Sequence, residues 1–298
     1  MSIIDSRCGL RCTGCKWKES HSCGGCIETN GHPFYGECHI AQCCQSKGLI
    51  HCGECDIMPC DELYAYSYLD PEHGDNPPGK RIEVCRRWAA EHGKHKWENV
   101  LLTSAGFFDS DNNPRSAIIE RFATMLNKPY DKAKVLFIPT AALTPEDKNW
   151  DYVQYCKRDL LLLGIPAENI TTHDIDGNMP EEEAMTFDVI FFTGGNTPYL
   201  AKRVRETRFG ETIKKMVYAN KVYVGISAGS MLAMHNFNVD SLAESHPMEF
   251  AGLCLIHAYY TVHCEPGTPP RCDMRLPHIP LTDNQALAVR WDGYTLIG

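Results

Sequence analysis

From residue 99 onward, apolar runs of strand length alternate with amphipathic stretches of helix length. Parallel strands need a long crossover between them, and a helix usually forms that crossover. The alternation therefore predicts an α/β domain over residues 99–298, with a mostly parallel sheet flanked by helices. The predicted strands are Val100–Thr103, Lys134–Pro139, Ile170–His173, Val189–Phe192, Lys221–Val224 and Leu253–His263, with a final hairpin over Ala286–Leu296. The predicted helices are Ser116–Leu126, Asp151–Leu163, Pro198–Arg205 and Gly210–Ala219.

The cysteines divide the chain into two parts. Twelve of the sixteen lie between Cys8 and Cys85, and the other four are spread over the α/β part. This density, with few large apolar residues around it, predicts that residues 1–68 form a small cysteine-rich domain held together by metal. Residues 69–98 are predicted to form a linker and a short helix, because 70–80 is rich in turn residues and 81–92 has helical character.

Three C-x-x-C pairs, at residues 12/15, 23/26 and 52/55, indicate the chemistry of this domain. Two such pairs can complete a tetrahedral zinc site. We therefore predict structural zinc, favoured over an iron–sulfur cluster because the spacings differ from the ferredoxin runs. Cys44 is left out because it adjoins Cys43, histidines could replace some thiols, and the pairing of ligands stays open. The candidate ligands are Cys8, Cys12, Cys15, Cys23, Cys26, Cys38, Cys43, Cys52, Cys55 and Cys60.

The net charge of -9 bears on the choice of partners. Nucleic acid and anionic membrane surfaces both attract clustered basic residues, so neither partner is expected. The first residues lack the basic start and apolar core of a signal peptide, and no apolar run is long enough to span a bilayer. The sequence therefore predicts a cytoplasmic protein with a small substrate, in which the cysteine-rich domain could recruit a protein partner. The oligomeric state stays open.

The pattern G-x-S-x-G at residues 225–229 follows an apolar strand and precedes a helical stretch. In this context the pattern is typical of a nucleophile elbow, in which a sharp strand-to-helix turn exposes the serine. Ser227 is therefore the candidate nucleophile, and the amide of Ala228 is a candidate oxyanion donor. The alternative is an ordinary turn that uses glycines for geometry and serines as caps.

A serine nucleophile needs a base and usually an acid that orients the base. His263 is the candidate base because it ends a long apolar run, and strand ends carry the site residues of an open α/β sheet. For the acid, Asp240, Glu244 and Glu249 stay open, since all three lie between the elbow and the histidine. Gly195 directly follows another predicted strand, and its amide is the second candidate oxyanion donor.

The α/β part resembles the peptidase E family, which includes aspartyl dipeptidase and cyanophycinase, within the class I glutamine-amidotransferase-like superfamily. The resemblance rests on the segments 192–197 (FTGGNT), 223–231 (YVGISAGSM) and 252–263. It implies a hydrolase with Ser227 as nucleophile, His263 as base, and Gly195 with Ala228 as the oxyanion hole. Members of that family cut after aspartate.

This chain departs from the family pattern at two places, and each departure affects which family properties the resemblance implies for it. The family places its acid in a threonine-rich segment after the elbow helix, where this chain has a different sequence over 237–244. The resemblance therefore assigns Asp240 as the acid, with Glu244 as the alternative. The family histidine is commonly followed by an aromatic residue, whereas Cys264 follows here. The preference for aspartate is therefore left open.

Residues 5–65 are similar to a widespread family of small cysteine-rich bacterial domains of unknown function. The similarity rests on Cys8-Gly9-Leu10, the three C-x-x-C pairs, and the spacings Cys38-x4-Cys43 and Cys55-x4-Cys60. It implies a metal-binding module and says nothing about a substrate.

The sequence as a whole predicts a cytoplasmic serine peptidase or amidohydrolase that cleaves amide bonds of short peptides. Two alternatives stay open. The chain could be a noncatalytic, metal-responsive binding protein that keeps the fold. The cysteines could also form a redox or metal-handling centre for which the α/β domain is a scaffold.

Overall fold

The computed structural model describes residues 3–70, 72–175, 179–238, 248–274 and 276–298. The chain divides into two units, Met1–Lys96 and Trp97–Gly298. The helix expected over 81–92 lies inside the first unit. Within the described ranges, no helix is both long and apolar enough to cross a membrane.

The first unit consists of short helices joined by turns, and its described residues contain no strand. Buried Ile40, Leu63 and Trp88 belong to three of these helices and form part of a small apolar core. An ion pair between Arg81 and Asp75, with 2.8 Å between Nε and Oδ1, lies at the start of the last helix. The elements are α1 (Lys16–Ser20), α2 (Gly25–Glu28), α3 (His39–Ser46), a 3₁₀ turn (Cys52–Glu54), α4 (Asp61–Tyr64), a π-helical turn (Ala65–Leu69) and α5 (Lys80–Glu91).

The second unit is built on a seven-stranded sheet. Its strands are β1 (Val100–Thr103), β2 (Val135–Ile138), β3 (Ile170–Thr172), β4 (Val189–Phe192), β5 (Val222–Ile226), β8 (Ala286–Arg290) and β9 (Gly293–Ile297), whereas β6 (Tyr259–Thr261) and β7 (His278–Pro280) form a separate parallel pair. The order in the large sheet is β3-β2-β4-β5-β1-β8-β9. The first five strands in that order are parallel, and β8 and β9 are antiparallel additions at one edge.

Helices cover both faces of this sheet. They are α6 (Ser116–Leu126), α7 (Trp150–Leu162), α8 (Glu181–Ala184), α9 (Thr197–Glu206), α10 (Phe209–Tyr218) and α11 (Ala228–Met231). Successive residues of a strand point to opposite faces. Phe191 therefore joins the apolar core that contains Phe122 of α6, whereas Phe192 joins the core that contains Leu200 of α9. The result is the predicted α/β architecture, with a mostly parallel sheet between two helical layers.

Several predicted elements are confirmed to the residue. The strands Val100–Thr103 and Val189–Phe192 and the helix Ser116–Leu126 have the predicted bounds. The final hairpin also forms, as β8 and β9. These elements have strong periodicity and clear turn residues at their ends, which are local signals.

The prediction of one long strand over 253–263 was wrong, because only Tyr259–Thr261 is a strand and it lies outside the large sheet. The amides of Leu253 and Leu255 donate instead to the carbonyls of Leu232 and Ala233, each at 2.8 Å. The apolar run is therefore buried against the chain that follows α11. A short apolar run is consistent with a buried strand, but its periodicity alone does not establish one.

Candidate active site

The turn between β5 and α11 has the conformation of a nucleophile elbow. Ser227 joins the strand to the helix with φ 47° and ψ -106°. A positive φ is uncommon for a residue other than glycine and stores strain that the surrounding structure must hold. The Ser227 amide donates to the Thr103 carbonyl of β1 at 3.1 Å, and its carbonyl accepts from Met231 at 2.9 Å. The predicted elbow is therefore present as a backbone geometry.

The two glycines of G-x-S-x-G are required because other parts of the chain lie too close to them for a side chain. A Cβ on Gly225 would lie 2.5 Å from backbone atoms of Gly229 and Ser230. A Cβ on Gly229 would lie 2.5 Å from Cβ of Phe192 on the neighbouring strand β4. The Ser230 hydroxyl also stabilises the turn. It lies 2.8 Å from the carbonyls of both Thr103 and Gly225, which share its proton.

Replacing Gly225 by alanine is expected to destabilise the second unit by about 1–3 kcal/mol, the usual cost of overpacking a close contact. The melting temperature should fall by roughly 2–4 °C per kcal/mol in a unit of this size. Thermal unfolding followed by circular dichroism measures the effect. Gly293→Ala is the control, because a Cβ there would meet no heavy atom within 4 Å. Equal melting temperatures for the two variants would contradict the packing argument.

His263 lies beside the elbow serine. It follows β6, and its Nε2 is 2.9 Å from Ser227 Oγ. Its side chain is about half exposed, at 50%, so a substrate can reach the pair from solvent. A neutral imidazole with its proton on Nδ1 can accept the hydroxyl proton at Nε2. The histidine predicted as the base is therefore within hydrogen-bond distance of the serine predicted as the nucleophile.

Asp283 holds the other side of the imidazole. Its Oδ1 lies 2.6 Å from His263 Nδ1. The residue belongs to a turn in which Gln285 donates its amide to the Thr282 carbonyl at 3.0 Å, directly before β8. An acid at Nδ1 fixes the tautomer that leaves Nε2 free to act as a base.

Asp283 is not among the acids that the sequence predicts. Asp240 and Glu244, two of the predicted acids, lie outside the described residues, and Glu249 is exposed in a short 3₁₀ turn. A signal was present in the predicted hairpin over 286–296. If the first strand of this hairpin pairs antiparallel with β1, the strand starts beside the end of β1. The polar turn that precedes the strand, which contains Asp283, then lies at the carboxyl edge of the sheet.

Ser104 links Asp283 and His263. It follows β1 and is fully buried, and its hydroxyl donates to Asp283 Oδ1 at 3.0 Å. The same oxygen accepts from the backbone amide of His263 at 2.8 Å. One buried hydroxyl therefore contacts both members of the His263–Asp283 pair.

Two backbone amides are available near the serine. Gly194 and Gly195 follow β4, and a Cβ on Gly194 would lie 3.1 Å from Cβ of Ser227, so the two chain segments touch. In the described part of the chain, the amides of Gly195 and Ala228, the two predicted donors, have no hydrogen-bond acceptor. Unpartnered amides beside a serine hydroxyl can stabilise the negative charge of a tetrahedral intermediate.

Eleven of the twelve cysteines of the first unit fall into two groups, and the twelfth, Cys85, is buried in α5. Cys12 and Cys26 belong to the first, where burial and neighbouring thiols raise the pKa of Cys12 to about 12 and that of Cys26 to about 11. The other cysteines that act on these two thiols are Cys8, Cys15 and Cys38. The predicted ligand Cys23 accepts from the Gly25 amide at 3.4 Å.

The second group surrounds a cavity and comprises Cys43, Cys44, Cys52, Cys55 and Cys60. Lys47 also lines this cavity, and thiolates at Cys55 and Cys43 raise its pKa. Across the ranges that the structure describes, no three histidine, cysteine, aspartate or glutamate side chains converge closely enough to hold one metal ion.

Comparison with known proteins identifies both parts of the chain. Residues 100–297 match peptidase family S51, and residues 4–65 match a protein family of unknown function, DUF3795. The uncharacterized peptidase PM1590 of Pasteurella multocida is 28% identical over 135 residues, which are 43% of this chain and 64% of that protein. The uncharacterized peptidase Lmo0363 of Listeria monocytogenes is 32% identical over 102 residues, 34% of this chain and 49% of that protein. The chain thus spans about half to two thirds of the length of these curated relatives.

A solved structure gives the same result for the fold. A protein from Listeria monocytogenes EGD-e whose structure is described as a peptidase E superposes with a TM-score of 0.50 at 23% sequence identity. The match covers 67% of this chain and 98% of that one. The resemblance to the peptidase E family is confirmed, and the N-terminal match fits the cysteine-rich domain. Because the family match extends over nearly the whole second unit, this chain belongs to peptidase family S51.

Proposed function

We propose that this chain is a serine-type peptidase that hydrolyses amide bonds of short peptides through Ser227, His263 and Asp283. The observation that carries the proposal is the continuous chain of contacts from Asp283 Oδ1 to His263 Nδ1 at 2.6 Å and from His263 Nε2 to Ser227 Oγ at 2.9 Å. A serine hydroxyl is a weak nucleophile unless a base takes its proton, and this arrangement supplies that base with an oriented tautomer. Membership of a peptidase family supports an amide as the bond that is cleaved.

The reaction follows from these positions. Ser227 Oγ attacks the amide carbonyl while its proton passes to His263 Nε2, and Asp283 stabilises the resulting imidazolium. The amides of Ala228 and Gly195 stabilise the negative charge that develops on the carbonyl oxygen. The imidazolium then gives its proton to the departing amine, which leaves an acyl-enzyme. Water activated by the same imidazole attacks the ester and releases the acid product and the free serine.

Hydrolysis of a panel of dipeptides by the full chain tests this proposal. The panel contains Asp-Xaa dipeptides and matched dipeptides with other first residues, so it also reports whether aspartate is preferred. We expect hydrolysis of at least one class. Failure to cleave any peptide, by protein whose cooperative unfolding shows that it is folded, would favour the noncatalytic binding protein that the sequence left open.

Ser104→Ala is expected to lower kcat by about 10- to 100-fold, because a hydrogen bond to a charged group contributes about 1.5–3 kcal/mol. KM should change little, since we place Ser104 behind the acid and the base, where it positions both. Thr140→Val is the matched control. The buried Thr140 hydroxyl also donates to a carboxylate, Asp174 at 2.8 Å, and accepts from an amide, that of Ile175 at 2.9 Å.

Both substitutions remove a buried hydroxyl at the end of a strand, so both should lower the melting temperature. Only Ser104→Ala should lower kcat, and Ser104→Thr, which retains the hydroxyl, should recover part of the loss. Equal kcat values for Ser104→Ala and the unsubstituted chain would remove the positioning role of Ser104.

We also propose that zinc stabilises the first unit through the first cysteine group, around Cys12 and Cys26. Thiols have the donor chemistry that zinc prefers, and the apolar core of this unit is small. The zinc would be structural and would take no part in the peptidase reaction. All sixteen cysteines lie among the described residues, and none forms a disulfide bond. This suits a reducing compartment, and we propose the cytoplasm as the location.

A further inference from the structure

The first unit contains a cavity of about 50 Å³ whose wall carries five cysteines that form no disulfide bond. We call Cys43, Cys44, Cys52, Cys55 and Cys60 the cavity cysteines. They come from separate places in the sequence: two lie on α3, two begin and follow the 3₁₀ turn, and Cys60 immediately precedes α4. The remaining wall is mostly apolar and includes Ile40, Leu49, Met58 and Leu63. Five thiols thus surround one space, and among the described residues the only charged ones that line it are Lys47 and Glu62.

Two of the cavity cysteines are already at the separation of ligands on one metal. The Sγ atoms of Cys44 and Cys52 are 3.6 Å apart. Two thiolates bound to one tetrahedral ion, each about 2.3 Å from it, lie about 3.8 Å from each other. Both residues are buried, at 2% and 8% exposure. The pair can therefore hold one metal ion with little rearrangement.

The other cavity cysteines lie around a cation. Lys47 Nζ donates to Cys55 Sγ at 3.6 Å, and Cys43 and Cys60 line the same cavity as this lysine. In the residues described, no three potential ligands meet at one point, so these sulfurs lie around a space. That space is several times the roughly 10–15 Å³ that one water needs. It therefore suits a group larger than a single ion.

We propose that the cavity cysteines hold an iron–sulfur cluster of the two-iron, two-sulfide type. Such a cluster takes four cysteine thiolates, two on each iron, and its sulfides occupy the space between the ligands. Cys44 and Cys52 bind one iron, and Cys55 with Cys43 or Cys60 binds the other. Each ligating thiol releases its proton as it binds, and two ferric ions with two sulfides complete the oxidised cluster with no change of oxidation state. The Lys47 ammonium offsets the negative charge of the four thiolates and two sulfides.

This assignment revises two expectations from the sequence. The spacings differ from the ferredoxin runs and so favour zinc at these positions, and the adjacency of Cys44 to Cys43 argues against Cys44 as a ligand. Both neighbours line the cavity, and a two-iron cluster lets adjacent thiols bind different irons. Zinc remains proposed for the first cysteine group alone.

The test is a metal analysis of the full chain purified without oxygen. We expect about two irons and two acid-labile sulfides per chain, with a visible absorption band that dithionite bleaches. Zinc at the cavity cysteines without labile sulfide would overturn the proposal. Absence of iron together with a Cys44–Cys52 disulfide, found by mass spectrometry, would overturn it as well.

Variants locate the cluster. Cys52→Ser should lose most of the iron and sulfide, whereas Cys272→Ser, at an exposed cysteine of the second unit, should keep both. Lys47→Met keeps all five thiols, and it should retain iron and lower the reduction potential, because a nearby positive charge favours the reduced cluster. An unchanged iron content in Cys52→Ser would contradict the assignment. The Lys47→Met potential provides a test that does not depend on how well Cys52→Ser folds.

Discussion

Ser227→Ala is expected to lower kcat for peptide hydrolysis by roughly 10⁴- to 10⁶-fold. Alanine removes the Oγ that lies 2.9 Å from His263 Nε2 and so removes the nucleophile. It keeps Cβ, so the backbone strain at φ 47° is the same in both proteins and the fold should be retained. Residual activity would come from substrate binding and the oxyanion amides acting on water.

The loss is measured as kcat on the best dipeptide of the panel, with thermal unfolding as the check on folding. Ser116→Ala, at an exposed serine of α6 in the same unit, is the control and should keep full activity. A fluorophosphonate reagent provides an independent readout, because it labels an activated serine covalently. Mass spectrometry should find the label on the peptide that contains Ser227 and find none in Ser227→Ala. Full activity of Ser227→Ala would exclude the serine mechanism.

Asp283→Asn is expected to lower kcat by about 10³- to 10⁴-fold. The amide has nearly the shape of the carboxylate, but it can donate to Nδ1 of His263 and so favour the tautomer that carries the proton on Nε2. In that tautomer the base cannot accept the proton of Ser227. The carboxylate is 54% exposed, so water screens it in part, and we therefore expect less than the full loss of Ser227→Ala.

Asp240→Asn is the decisive comparison. The family resemblance assigns the acid to Asp240, which lies outside the described residues, whereas Asp283 is 2.6 Å from the imidazole. If Asp283 is the acid, Asp240→Asn should leave kcat unchanged while Asp283→Asn lowers it. The opposite pattern would return the role to Asp240 and would leave Asp283 as a surface partner of His263.

The proposed nucleophile and the proposed acid differ in how well the sequence identifies them. Ser227 is defined within five residues, because the two glycines and the flanking strand and helix produce the elbow locally. The position of Asp283 beside His263 depends on the order of the strands in the sheet. Antiparallel pairing puts Ala286 of β8 opposite Thr103 of β1, which brings the turn before β8 next to Ser104. No local sequence pattern near Asp283 indicates that pairing. The sequence therefore offered several candidates for the catalytic acid and no means of choosing among them.

The cysteines show the same division. The sequence predicted a thiol-rich module, because composition and C-x-x-C spacing are local properties. Which thiols share one space depends on how α3, the 3₁₀ turn and α4 pack. That packing brought Cys44, which spacing had excluded, to 3.6 Å from Cys52.

The sequence by itself determined the α/β class, the elbow serine, the histidine beside it and the cysteine-rich module, because periodicity, glycine geometry and composition act over a few residues. The tertiary structure alone decided that Asp283 and Ser104 contact His263, that the apolar run over 253–263 lies outside the large sheet, and that five cysteines surround one cavity. Each of these depends on which distant segments pack together. That choice is made by burial over the whole unit, and no short stretch of sequence specifies it.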